Sequence, residues 1–398
     1  MTGVQTCALP IFPQKDRDQL RRHVGDAALA GIAGARTSEA DHLRALDRKA
    51  KGFEAIAIAA SIIRHTEIDD IHLESCTTPS SVTVPVALML AREAGISDVD
   101  RIASAIWAGT DLIVRLGVAI NGPTVLYRGV WPTAIGAPLG AAAVAARIWG
   151  LDRATTENAL SIALMMTAGR TGRFKGALSG RWVLFIGAIA EGLRAAHSAR
   201  LGFGGDPSLL DGPWMQQAQG IETDVSKLTD GLGETSVFPL LGMKPFCTAR
   251  QALGATQAMI ELVDEGLDPA TIDSVKVRVP NAYQAMISAP IDPSSRSTGR
   301  WASGARSATS RTPASASPTP PAPPPALPPP GPSPDPRCPS PGAASIDTPR
   351  GPVAAISAAA GALEPRLQPD RRPGRDRHGV SAPLGQLGGG AGVAALGG

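Results

Sequence analysis

Residues 136–150 read GAPLGAAAVAARIWG, and the reading of this stretch decides the fold. Its apolar residues recur at three- and four-residue spacing and Gly150 closes it, which is the pattern of a buried helix with a glycine stop. It overlaps Gly129 to Ala146, the longest uncharged span before the Pro-rich tail. That span approaches the length of a membrane helix, but Pro132, Pro138 and its glycines favour a buried helix preceded by a loop.

Outward from it the same period repeats. SSVTVPVALMLAREAG offers Ser80 or Ser81 as N-cap, tolerates Pro85 near the first turn and stops at Gly95. ASAIWAGTDLIVRLGVAI, TTENALSIALMMTAG, RWVLFIGAIAEGLRAAHSARLG and TARQALGATQAMIELVDEG follow the same rule. Aromatic residues make up only 4% of the chain, so the core is built from Ala, Leu, Ile and Val, whose small faces allow close helix packing. One segment changes period. In IDSVKVRVP, Ile272, Val275, Val277 and Val279 approach two-residue alternation with Lys276 and Arg278 opposite, which predicts a strand opening an α+β domain.

Both ends differ from the middle. MTGVQTCALPIF resembles a translated sequencing adapter, so residues 1–12 are set aside. From Arg300 the composition shifts: 21 of 36 prolines lie in the final 99 residues, and Lys, Asn, Phe, Tyr and Met are absent after Met286. A GC-rich gene read out of frame gives this pattern; a native polyproline II linker is the alternative. The expected organisation is mainly α: an all-helical domain over 13–267, the start of a truncated α+β lid over 268–299, and a disordered Pro-rich tail over 300–398.

The net charge of +3 belongs to that tail, which carries ten Arg against five acids and leaves the remainder at −2. No patterned basic and aromatic surface marks a nucleic-acid partner, and no signal peptide or membrane anchor is expected. Cys7, Cys76, Cys247 and Cys338 lie far apart without CxxC spacing, which argues against a zinc module or disulfide framework and favours a reducing cytoplasm.

Four polar segments interrupt the helices. TEIDDIHLESCTTPSSV, residues 66–82, holds Asp69, Asp70 and His72 without metal-ligand spacing. It reads either as a floor for chemistry or as a solvated loop with capping serines, a structural histidine and an apolar Cys76. NGPTVLYRGVWPT bunches Tyr127, Arg128 and Trp131, where Arg128 either clamps a carboxylate or pairs with an acid. GRTGRFKGALSGRW carries Arg170, Arg173, Lys175 and Arg181 among four glycines; it lacks the GxxxxGK[ST] phosphate loop and reads as an anion site or a basic turn. GMKPFCTARQ places Lys244, Cys247 and Arg250 before a helix, with Cys247 a nucleophile only beside a base.

The order of the blocks EIDDIHLESCTTPSSV, YRGVWPTAIGAPLGAAAVAARIWGL, ALSGRWVLFIGAIAEG, DGPW, KPFCTARQALGAT and VKVRVPNAYQAMISAPIDPSSRSTG resembles the MmgE/PrpD family, which includes 2-methylcitrate dehydratase, cis-aconitate decarboxylase and iminodisuccinate epimerase. The resemblance spans about Leu20 to Gly299. It implies a large helical domain with a smaller α+β lid, a homodimer, and a cleft in which a small di- or tricarboxylate loses a proton beside a carboxylate, with no cofactor and no metal. Water or carbon dioxide is then lost, or the carbon is reprotonated.

Several family positions differ here. Thr78-Pro79-Ser80 stands where members have a histidine step, Trp131 replaces a histidine, Arg181 aligns with a lysine, and Arg250 or Gln251 falls at another histidine. Arg and Trp are not general bases near neutral pH. The resemblance therefore leaves Asp70 and His72 as the proton-exchanging residues, with Thr78, Tyr127, Arg128, Trp131, Lys175, Arg181, Lys244 and Arg250 around the substrate. Asp70→Asn or His72→Gln is expected to abolish turnover. The competing expectation is a carboxylate-binding protein without turnover, or an inactive truncated member of the family.

Overall fold

A computed structural model describes residues 14–47, 52–167, 180–210, 213–275, 277–279 and 281. The helices are α1 (Gln14–Gly34), α2 (Ser38–Asp47), α3 (Phe53–Arg64), α4 (Ser80–Glu93), α5 (Val99–Ala119), α6 (Gly122–Tyr127), α7 (Pro132–Trp149), α8 (Arg153–Met165), α9 (Gly180–Arg200), α10 (Trp214–Gln219), α11 (Ser226–Thr229) and α12 (Arg250–Asp264). Two short strands, β1 (Ile71–His72) and β2 (Leu241–Gly242), pair antiparallel, with Ile71 opposite Gly242 and His72 opposite Leu241. The described chain is mainly α, as the periodicity predicts.

The stretch quoted above lies at the centre. Helix α7 packs against α4, α5, α8 and α9, while α3 packs against α1, α4 and α9. Backbones approach where the sequence supplies no side chain. A Cβ at Gly192 of α9 would lie 2.2 Å from the Pro138 carbonyl oxygen of α7, so only glycine permits that crossing. The helix begins at Pro132, four residues before the quoted stretch, because proline is favoured in the first turn where no N–H is needed. It then passes through Pro138.

Other boundaries follow local chemistry. Asp98 caps α5 by accepting from the N–H groups of Asp100 and Arg101, and Asp152 caps α8 through Thr155 N–H. At α4 the expected serine cap is not made. Pro79 holds the cap position, and Ser80 is the first helical residue with its hydroxyl given to Asp70. Helix α5 is the one described helix long and apolar enough to cross a membrane by length and composition, and 78% of its most apolar window is buried inside the bundle.

The strand expected over Ile272–Pro280 is not formed among the described residues of that segment. Its alternation has no ladder partner there, and a lone strand leaves its backbone groups unpaired. The expectations for residues 1–12, for the lid beyond Asn281 and for the tail lie outside the described residues.

Candidate functional site

The loop between α3 and α4 carries the polar floor, and its position is set from three sides. Gly122 at the start of α6 lets the loop backbone approach, since a Cβ there would lie 1.9 Å from the Ser75 carbonyl oxygen. His72 N–H bonds to Thr77 O at 2.8 Å, folding the loop back on itself. The β1–β2 pair then places Lys244, two residues past β2, against a segment more than 170 positions earlier in the chain.

The result is a buried ionic cluster. Arg64 ends α3, with Nη1 2.9 Å from Glu67 Oε2 and 3.2 Å from Asp69 Oδ1. Lys244 Nζ lies 3.5 Å from Asp69 Oδ1 and 3.9 Å from Glu67 Oε2. Arg181, near the start of α9, reaches Glu67 Oε1 at 3.5 Å. Glu67 has φ +58°, a left-handed conformation that a glutamate adopts only when its surroundings hold it there. Those surroundings are three cations.

Asp70 is fully buried beside this cluster and is held differently. Ser80 donates its N–H to Oδ1 at 3.2 Å and its hydroxyl to Oδ2 at 2.5 Å. His23 Nδ1 of α1 lies 3.4 Å from Oδ2.

Aromatic rings close the cluster from the core side. Trp131 stacks on Phe185 with centroids 5.3 Å apart and meets Trp182 edge-on. Arg64 lies 5.4 Å above the Trp131 ring, and Arg181 lies 4.1 Å above Trp182. A guanidinium over an indole face is attracted by the ring's electron-rich centre.

The electrostatics sort the carboxyls into unlike roles. Burial pushes Glu67 up, but Arg64, Arg181 and Lys244 overcome it and bring it down to about 2. For Asp69 burial prevails over Arg64 and Lys244, and its value is raised. Asp26 of α1 is raised from 3.8 to about 7 by burial and by the charges of Asp70 and Asp69, against His23 and Lys244. Burial also lowers Arg181 to about 10 despite Glu67, with Arg64 adding repulsion.

The residues expected from sequence divide accordingly. Asp70, Arg181, Lys244 and Trp131 are brought together. Thr78 is buried next to them, its N–H 3.2 Å from Thr133 Oγ1. His72 is buried but directed into its own turn: Nδ1 accepts from Ser75 N–H at 3.2 Å and lies 3.0 Å from Ser75 Oγ. Burial lowers its pKa against Glu74 and Asp70, so the ring is neutral with Nδ1 as acceptor. Arg128 is exposed and gives both terminal nitrogens to Gly220 O, each at 3.2 Å, so among the described residues it is neither paired with an acid nor turned to the cluster. The Tyr127 hydroxyl accepts from Gln251 Nε2 at 3.3 Å. Arg250 is exposed at the first residue of α12, where no described residue pairs with it. Lys175, with Arg170 and Arg173, lies outside the described residues.

Sequence reasoning passed over Arg64, Glu67, Asp26 and His23. One signal was available for Arg64, the only basic residue in the mostly apolar FEAIAIAASIIR. Among the described residues no group of three or more His, Cys, Asp or Glu side chains is arranged to hold a metal ion.

No curated protein matches the chain. The family model of the MmgE/PrpD N-terminal domain matches residues 20–225, just over half of it. That span runs from within α1 to the residue before α11 and contains every member of the buried cluster except Lys244. On this match the chain belongs to the MmgE/PrpD family.

Proposed function

We propose that the protein is a cofactor-independent lyase of the dehydratase type, or an isomerase, acting on a small di- or tricarboxylate. The observation that carries this reading is Asp70, an anion fixed by two donors from Ser80 next to three buried cations. A base that must take a weakly acidic proton beside a carboxylate needs a fixed position, and the developing enolate needs positive charge.

In this reading the substrate carboxylate takes the place of Asp69 and Glu67 on Lys244 and Arg181. Asp69 is suited to release its cation, because its raised pKa lets it accept a proton when displaced. Asp70 then removes the proton next to the substrate carboxylate, and the C–H electron pair moves into the enolate, whose charge Arg181 and Lys244 offset. The enolate then expels a β-hydroxyl, which takes up the proton held on Asp70 and leaves as water, or the carbon takes that proton back in an isomerase. Asp70 is fully buried, so substrate reaches it only when the cluster opens at Arg181 and Lys244.

The test is proton exchange in D2O. Citrate, malate and aconitate are incubated with the protein and followed by NMR, which detects abstraction even without net product. Asp70→Asn should lower exchange by about 10²–10⁴-fold with little change in melting temperature. Exchange equal to the parent's would remove Asp70 from the role.

A second reading, carboxylate binding without turnover, is favoured by Trp131. It stands at a position that the family resemblance gives to histidine, and its ring is sealed against Phe185. Calorimetric binding of citrate with no exchange in D2O, weakened by Arg181→Ala, would support this reading over the first.

A further inference from the structure

Helix α1 contributes two titratable side chains to the back of the cluster, His23 and Asp26, one turn apart and on the same face. His23 is 1% exposed and is held edge-on by Phe238 at 5.9 Å. Its Nδ1 is buried with no hydrogen-bond partner among the described residues, 3.4 Å from Asp70 Oδ2. Asp26 Oδ2 is likewise buried and unpartnered. The charged groups facing Asp26 are His23 on its own helix, Asp69 and Asp70 from the α3–α4 loop, and Lys244 beyond β2.

Three carboxyls share this space, and Asp69 and Asp70 differ from Asp26 in having donors or cations of their own. Asp69 has Arg64 and Lys244, and Asp70 has the two Ser80 donors. Among the described residues no donor reaches Asp26 Oδ2, and a carboxyl in that position is the one on which a proton costs least. We propose that Asp26 holds the proton shared by the three carboxyls, which leaves Asp69 to its cations and Asp70 to its Ser80 donors, and that His23 positions Asp70 from behind. The proposal deepens the reading of Asp70 as the base and rests on it.

The chemistry has a direction in pH. With a value raised from 3.8 to about 7, Asp26 keeps in the folded protein a proton that the unfolded chain releases. Folding stability therefore falls as pH rises from about 4 to about 7 through this group, and levels off above. Asparagine mimics the protonated carboxyl and lacks this dependence.

The experiment needs no substrate. The full chain and Asp26→Asn are melted across pH 4 to 8, and the Asp26 carboxyl is titrated by carbon-13 NMR in protein labelled at aspartate, with Asp26→Asn giving the assignment. The expected result is a midpoint near 7 and a parent whose stability falls relative to Asp26→Asn as pH rises from about 4 to about 7. In Asp70→Asn the Asp26 midpoint should move down towards 3.8, because the neighbouring charge is gone. An Asp26 midpoint near 3.8 in the parent, or one unmoved by Asp70→Asn, overturns the proposal. If Asp26→Asn does not fold, Asp26→Ser gives the same assignment.

His23 is tested by replacement. His23→Leu should lower D2O exchange through a displaced Asp70, and His23→Asn, which keeps an N–H at the Nδ1 position, should retain part of it; equal exchange in the parent and both variants overturns the positioning role. Loss of D2O exchange in the parent would defeat the proposed function while leaving these titrations to decide the proton's location.

Discussion

Lys244 Nζ lies 3.5 Å from Asp69 Oδ1, in segments 175 positions apart that the two-residue ladder of β1 and β2 brings together. The amine bridges Asp69 and Glu67 in a cluster where every member is nearly or fully buried. Breaking such a contact from one side leaves uncompensated charge in a medium that cannot solvate it.

Lys244→Met should therefore destabilise the protein by about 3 kcal/mol or more in urea unfolding. Adding Asp69→Asn should restore part of the loss, because it removes the stranded carboxylate. An additive double mutant would show that the two side chains do not interact.

Glu67 gives a pH dependence of opposite sign to that of Asp26. Its value is lowered from 4.5 to about 2, so the ionised form is the one the folded state favours. That stability is present above about 4.5 and is lost as pH falls towards about 2. Acid denaturation of Glu67→Gln should show a shallower loss across this window than the parent. Equal slopes would mean that the three cations do not act on Glu67 as their distances imply.

Asp70 and His72 should separate experimentally. His72→Gln removes the ring nitrogen that accepts Ser75 N–H and should lower stability by about 1–3 kcal/mol while leaving D2O exchange near the parent's. Asp70→Asn should do the reverse. Loss of exchange in His72→Gln at unchanged stability would restore the histidine to the chemistry, as the sequence suggests.

Gly192→Ala tests the close approach of α9 to α7. A methyl group there has to displace the Pro138 backbone, which differs from displacing a flexible side chain. The variant should lose about 1–3 kcal/mol, read as a lower urea midpoint at an unchanged slope.

Most of the helical fold was legible because its signals are local. The three- and four-residue spacing in GAPLGAAAVAARIWG and the glycine after α4 each act within a few residues of where they stand. The serine cap of α4 failed as an expectation because a non-local partner competed for it. Ser80 donates to Asp70, ten residues back, and Pro79 takes the cap position instead. The strand at Ile272–Pro280 failed for a related reason, since alternation marks a face but cannot supply the neighbouring strand.

The sequence by itself determined the helices, the family resemblance and the stretch in which the acids lie. It could not rank the acids, because Asp69, Asp70 and Glu67 look alike in a row of letters. The tertiary structure decided their roles: α1 brings Asp26 and His23 behind Asp70, β2 delivers Lys244, and α9 delivers Arg181. Burial and the distance to the nearest charge fix the protonation state of a carboxyl, and both quantities exist only once segments far apart in the chain have packed together.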